Sequence, residues 1–207
     1  MKTKNILIFL ALFVVAQSVT AQNNAETVLR PIINQVKNHK NVEMTYNYQL
    51  SADGKILGEV EKGHAWMQGE AYRIELQEQQ TISDGTTIWS YLIDDEEVMV
   101  SNATEGEDNT PLKLLTSLDE SYAATLTGVD AKGIATIELA NPKGQYKRVT
   151  VKINSKKSEL KSADIYLEDG SKIVVNIEEM KYDQELDKGL FHFDTKAHPN
   201  VDVIDMR

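Results

Sequence analysis

The sequence predicts a mainly β protein with a small α lid: an unclosed antiparallel β-barrel of about ten or eleven strands, capped by short helices. Three observations carry this. Apolar and polar residues alternate with period two along most of the chain. Asp-Gly, Gln-Gly and similar pairs cut the alternation into short runs. Only the stretches 25–37 and 111–118 show the three-and-four spacing of a helix.

The first 21 residues hold Lys2 and Lys4, an apolar run from Ile6 to Ala16, and Val19-Thr20-Ala21 before Gln22, the three parts of a cleavable secretory signal. That run is shorter than the roughly 20 apolar residues of a membrane-spanning helix. A mature domain over residues 22–207 in the periplasm is expected. Between Ala25 and Lys37, Val28, Leu29, Ile32, Ile33 and Val36 form an amphipathic stripe that Pro31 either starts or kinks. After Asn41, Val42, Met44, Tyr46, Tyr48 and Leu50 alternate with polar neighbours as a strand with one wet side.

Asp53-Gly54 turns the chain into a second run, Ile56 to Met67, and Gln68-Gly69-Glu70 into a third carrying Tyr72, Ile74 and Leu76. Asp84-Gly85 leads to Thr87–Ile93, and Asp94-Asp95 to Val98–Ser101. A polar loop over 102–110 precedes Pro111, where Thr110 is placed as an N-cap and Leu112, Leu115 and Leu118 make a short apolar stripe. Strands resume over 122–126, 133–140, 146–153, 160–167 and 171–180, with a last short one over 190–193 before Val201, Val203 and Ile204. The expected order is one meander in chain sequence with helices added.

A sheet this wide twists and curls, so its inner face must be filled. Side chains, a helical plug or an apolar ligand can fill it. The candidate inner wall is Tyr46, Tyr48, Trp66, Tyr72, Ile74, Trp89, Tyr91 and Val98; the candidate lid is Leu112, Leu115 and Leu118. These aromatics serve equally as plain core. A slip of one residue would exchange Trp89 and Tyr91 for Ile88, Ser90 and Leu92 on the inner side.

Charge and composition exclude several functions. The whole chain carries a net charge of −10, and removing Lys2 and Lys4 takes it to −12. That acidity disfavours nucleic acid and anionic lipid headgroups. The chain has no cysteine, hence neither disulfides nor a lipid-anchoring cysteine. His39, His64, His192 and His198 lie on separate segments without metal-ligand spacing. The clusters Asp94–Glu97 and Glu105, Glu107, Asp108 lack the spacing of a calcium loop and suit solvated turns. No nucleophile elbow, dinucleotide fingerprint, phosphate loop or zinc-helix motif occurs, so neither catalysis nor a cofactor or metal is expected.

The stretches G-H-A-W-M-Q-G-E-A-Y-R-I-E (63–75), S-D-G-T-T-I-W-S-Y (83–91), N-T-P-L-K-L-L (109–115) and F-H-F-D-T-K-A-H-P-N-V-D-V-I-D (191–205), in this order, resemble the LolA-type outer-membrane lipoprotein carrier family. The resemblance implies a helix-capped open barrel whose cavity shields lipoprotein acyl chains. It implies an inner-membrane transporter of the LolCDE type as donor, an outer-membrane acceptor, and a monomer. Such carriers place Arg-Pro before the third strand, where the arginine helps hold the lid shut; Gln68-Gly69 stands there, and Gln68 offers a weaker, uncharged donor to the lid. Two other readings share the architecture: a module sensing lipid or envelope stress, and a carrier of a different apolar molecule.

Overall fold

The computed structural model describes residues 24–103, 122–142 and 146–207. The expected signal segment and Leu112, Leu115 and Leu118 lie outside the described residues. Helix α1 covers residues 24–38. Twelve strands follow: β1 Val42–Ala52, β2 Lys55–Gln68, β3 Ala71–Glu75, β4 Gln79–Ser83, β5 Thr87–Leu92, β6 Glu97–Asn102, β7 Ala123–Val129, β8 Ile134–Ala140, β9 Arg148–Asn154, β10 Glu159–Tyr166, β11 Lys172–Tyr182 and β12 Asp202–Asp205.

α1 runs through Pro31 without a break, so the proline neither starts nor ends it. The helix buries Ala25, Leu29, Ile32, Ile33 and Val36, four of the five predicted stripe residues plus one alanine, with Val28 half-buried beside them. On its wet side Arg30 and Glu26 form an exposed pair at 2.6 Å, a contact of little energetic weight.

All twelve strands belong to one open sheet in the order β12-β6-β5-β4-β3-β2-β1-β11-β10-β9-β8-β7. This corrects the single chain-order meander. Two meanders, β1–β6 and β7–β11, are joined where β1 pairs with β11. Two register shifts in β1, at Thr45/Tyr46 against β11 and at Tyr48/Leu50 against β2, add twist where the halves meet.

β4 was not expected: its sequence, Gln-Gln-Thr-Ile-Ser, has too few apolar residues to alternate visibly. The strand expected over 190–193 is instead a pair of turns, in which Leu190 N–H donates to the Asp187 carbonyl at 3.0 Å and His192 N–H to that of Gly189 at 3.1 Å. β12 pairs in parallel with β6, an arrangement that requires a long return of the chain.

Two apolar clusters form, one on each face. The larger gathers the α1 stripe with Val42, Met44 and Ala65 of β1–β2 and with Ile137, Val151 and Ile165 of the second meander. The smaller contains Ile82, Trp89, Tyr91, Val98, Val100 and Phe193. Among the described residues every buried side-chain nitrogen and oxygen has a hydrogen-bond partner.

Candidate functional site

The face carrying α1 is the inner one. Cross-strand partners share a face, so the register can be followed along it. Met44 pairs with Ala65, Ala65 with Ile74, Ile74 with Thr81, Thr81 with Ser90, and Ser90 with Met99. The neighbouring row runs Val42, Met67, Tyr72, Ser83, Ile88, Ser101. Tyr46, Tyr72 and Ile74 are buried on this face, and Tyr48 is half-buried at its edge.

Tyr46 lies flat over Gly63, its strand partner. A Cβ added at Gly63 would stand 2.3 Å from Tyr46 Cζ, so only glycine leaves room for the ring. Burial pushes the Tyr46 phenol up to about 12. Tyr48 donates its hydroxyl to Glu61 Oε2. Its phenol is raised first by burial and then by this bond to an anion.

Half of the expected wall lies elsewhere. Trp66 pairs with Glu43 and Arg73, the outward row; its ring packs on His64 at 3.7 Å between centroids, while His64 Nε2 meets Glu43 Oε1 at 2.8 Å. Trp89 pairs with Ile82 and Val100, and Tyr91 with Gln80 and Val98, so Trp89, Tyr91 and Val98 also face outward. The inner residues of β5 are Ile88, Ser90 and Leu92, the set that a shift of one residue exchanges in. The physical reason is a second apolar cover: Trp89 and Tyr91 are buried on the outer face, not left to solvent.

That cover is a strap formed by residues 183–201. It starts where Asn41 Nδ2 donates to the Gln184 carbonyl and Gln184 N–H to Asn41 Oδ1, both at 2.9 Å. Beside it, Asp183 accepts the Lys40 N–H at 2.7 Å and sits 2.7 Å from His39 Nδ1. These bonds hold the Asp183 carboxyl below its usual range, the His39 contact being the largest cause. Arg73 Nη1 donates to the Leu190 carbonyl at 3.3 Å as the strap crosses β3. His192 then meets the Trp89 ring edge-on at 4.9 Å, and His198 stacks on Phe193 at 4.9 Å and packs on Tyr91 at 5.0 Å. Two of the four histidines thus pack against aromatic rings on the strap.

Gln68 is exposed at the end of β2, and Gly69 begins the turn with φ +60°. Proline is fixed near φ −65°, so an Arg-Pro pair does not fit this backbone. The turn itself differs from the carrier pattern, beyond the lost charge.

Ile88 and Leu92 stood only in the alternative register, and Met99 was missed as an inner residue. They are half-buried on the inner face and, among the described residues, pack against neither cluster. Among the described residues no group of three or more histidines and carboxylates could hold a metal. The inner face offers apolar surface and the phenols of Tyr46, Tyr48 and Tyr72, a setting for binding.

A family model described as outer membrane lipoprotein carrier protein LolA matches residues 72–194, more than half of the chain's 207 residues. Among curated proteins no sequence matches. Solved structures are similar in fold. An uncharacterized conserved protein from Thermus thermophilus aligns with TM-score 0.54 at 10% identity over 85% of this chain and 98% of its own. A LolA superfamily protein from Nitrosomonas europaea gives 0.45 at 11% identity over 83% and 98%. The lipoprotein LppX from Mycobacterium tuberculosis gives 0.47 at 17% identity over 80% and 98%. With an open sheet wrapped on one helix and a family model covering most of that sheet, the chain belongs to the LolA family.

Proposed function

We propose that the protein is a periplasmic carrier that shields lipoprotein acyl chains against its inner face and moves them from the inner to the outer membrane. A LolCDE-type transporter would load it and an outer-membrane acceptor would unload it. The observation that carries this reading is the inward set Ile88, Leu92 and Met99: apolar, half-buried and, among the described residues, outside both packed clusters. Each methylene moved out of water is worth about 0.8 kcal/mol, so acyl chains need such a shield to cross an aqueous space. Tyr46, Tyr48, Tyr72 and Ile74 continue the wall towards α1, and Leu112, Leu115 and Leu118 would close it. No covalent step is involved.

The test uses a photo-crosslinking residue at Leu92 and, separately, at Trp89, with lipid and protein mass spectrometry on protein purified from envelope extract. Acylated lipoprotein should be captured from position 92 and not from position 89. Equal capture at both, or no lipid at either, overturns the proposal. Depleting the protein should strand lipoproteins at the inner membrane, whereas loss of a stress sensor would change only a stress response.

A further inference from the structure

We infer that Glu61 and Glu97 make the inner face selective: they admit acyl lipids whose glycerol carries no phosphate and turn phospholipids away. The inference deepens the carrier reading and rests on it. Cross-strand pairing sets the side on which each carboxylate stands. Glu61 pairs with Tyr48, whose hydroxyl donates to Glu61 Oε2, and Tyr48 packs against the cluster under α1. Glu97 pairs with Leu92, so it extends the inner row past the proposed cargo position. Both acids are half-buried. β3, β4 and β5 separate them. Leu76, which packs against the same cluster as Tyr48, and Leu92 lie between, so the two acids bracket an apolar surface and do not form one cluster.

The basic side chains of the sheet stand elsewhere. Strands β1–β6 carry Lys55, Lys62 and Arg73. Lys62 pairs with Asn47 and Arg73 with Trp66, all on the outer face. Lys55 pairs with Ala52 at the tip of the β1–β2 hairpin, exposed and well past Glu61 towards the turn. On the second meander Arg148, Lys152, Lys172 and Lys181 alternate with the inner residues and face outward, while Lys161, at a register shift, is bonded to Glu159. On α1, Arg30 is bonded to Glu26 on the wet side and Lys37 is exposed. A further acid, Asp202 of β12, pairs with Glu97 on the same side.

Phospholipid is the competitor that any acyl carrier meets at a membrane. Its phosphodiester is joined to the same glycerol as its acyl chains. Seating those chains along Leu76 and Leu92 therefore brings an anion towards Glu61 and Glu97, where partial burial weakens the screening that water gives to like charges. A diacylglyceryl group joined to protein through a thioether has no charge at that position. Two carboxylates on an otherwise apolar wall thus reject the wrong cargo without adding a contact to the right one.

The test displaces an apolar dye, phenylnaphthylamine, from the purified protein with dioctanoylglycerol or with dioctanoyl phosphatidate, which differ only in the phosphate. Wild type should favour dioctanoylglycerol by about tenfold or more. Glu61→Gln and Glu97→Gln combined should remove most of that preference, by tightening phosphatidate and not by weakening the neutral lipid. Glu61→Gln alone, whose amide oxygen still accepts the Tyr48 hydroxyl, should remove part of it. Glu138→Gln takes one charge from the opposite face, between the inward Ile137 and Leu139, and should leave the preference unchanged. A preference that survives both the single and the double variant, an equal loss in Glu138→Gln, or a wild type that takes phosphatidate as readily would each overturn the inference and leave the carrier reading standing. Displacement by neither lipid would overturn both.

Discussion

The two faces of this sheet are both apolar, but they are covered in different ways. The inner face of the sheet is mostly aliphatic, spans both meanders and has one helix packed across it. The outer face keeps a compact aromatic patch over β4–β6, sealed by the chain's own C-terminal strap with Phe193, His192 and His198. Over β4–β6, aromatic residues are sealed away and the aliphatic side chains of Ile88 and Leu92, with Met99, are left half-buried. The size and hydrophobicity of a side chain therefore did not decide which face it takes; the presence of a covering segment did.

The contrast breaks first at Trp89. If it is core, Trp89→Ala should destabilise the fold by about 3–5 kcal/mol in urea unfolding, while the folded fraction keeps its lipid. Lost lipid with intact stability would move Trp89 back to the binding face. Gly63→Ala comes next. The new methyl would collide with the Tyr46 ring, and a cost of about 1–3 kcal/mol is expected, with a change in the near-ultraviolet tyrosine signal. Leu92→Ser should cost under about 1 kcal/mol because the side chain is only half-buried, yet reduce co-purifying lipid sharply.

The smallest effect concerns the root of the strap. The Asp183 carboxyl is depressed in the fold, so its contribution is present above the ordinary aspartate value and lost as pH falls through the lower folded one. Urea midpoints of wild type and Asp183→Asn should differ slightly near pH 5 and converge below about pH 3. A gap that persists in acid would show that the carboxylate charge is irrelevant there.

Much of the fold was legible for a simple reason: an element covered on one side writes its period into the sequence. α1 and β1 are such elements: α1 buries four of the five stripe residues, with Val28 half-buried, and β1 follows the alternation through Tyr46 before it breaks at the Tyr48/Leu50 register shift. β5 was not legible in this way. Thr87, Trp89 and Tyr91 alternate with Ile88, Ser90 and Leu92, both rows hold large apolar residues, and the deciding cover arrives about 100 residues later. β4 hid because its polar residues sit between neighbours that pair with it regardless. Of the candidate wall residues, Tyr46, Tyr48, Tyr72 and Ile74 share the face that carries α1, and Trp66, Trp89, Tyr91 and Val98 share the opposite face.

The β1–β11 pairing also dictates an order of assembly. Asn47 and Glu178, which share a hydrogen bond across that seam, are 131 residues apart in the chain. Contacts so distant form slowly, after local hairpins. A chain emerging N-terminus first would hold β1 with a bare edge, beside a helix stripe that has nothing complete to lie on, until nearly all of it had appeared. Its own apolar interior would then be as vulnerable in water as any cargo, and the seam closes that interval only when the last third of the polypeptide arrives.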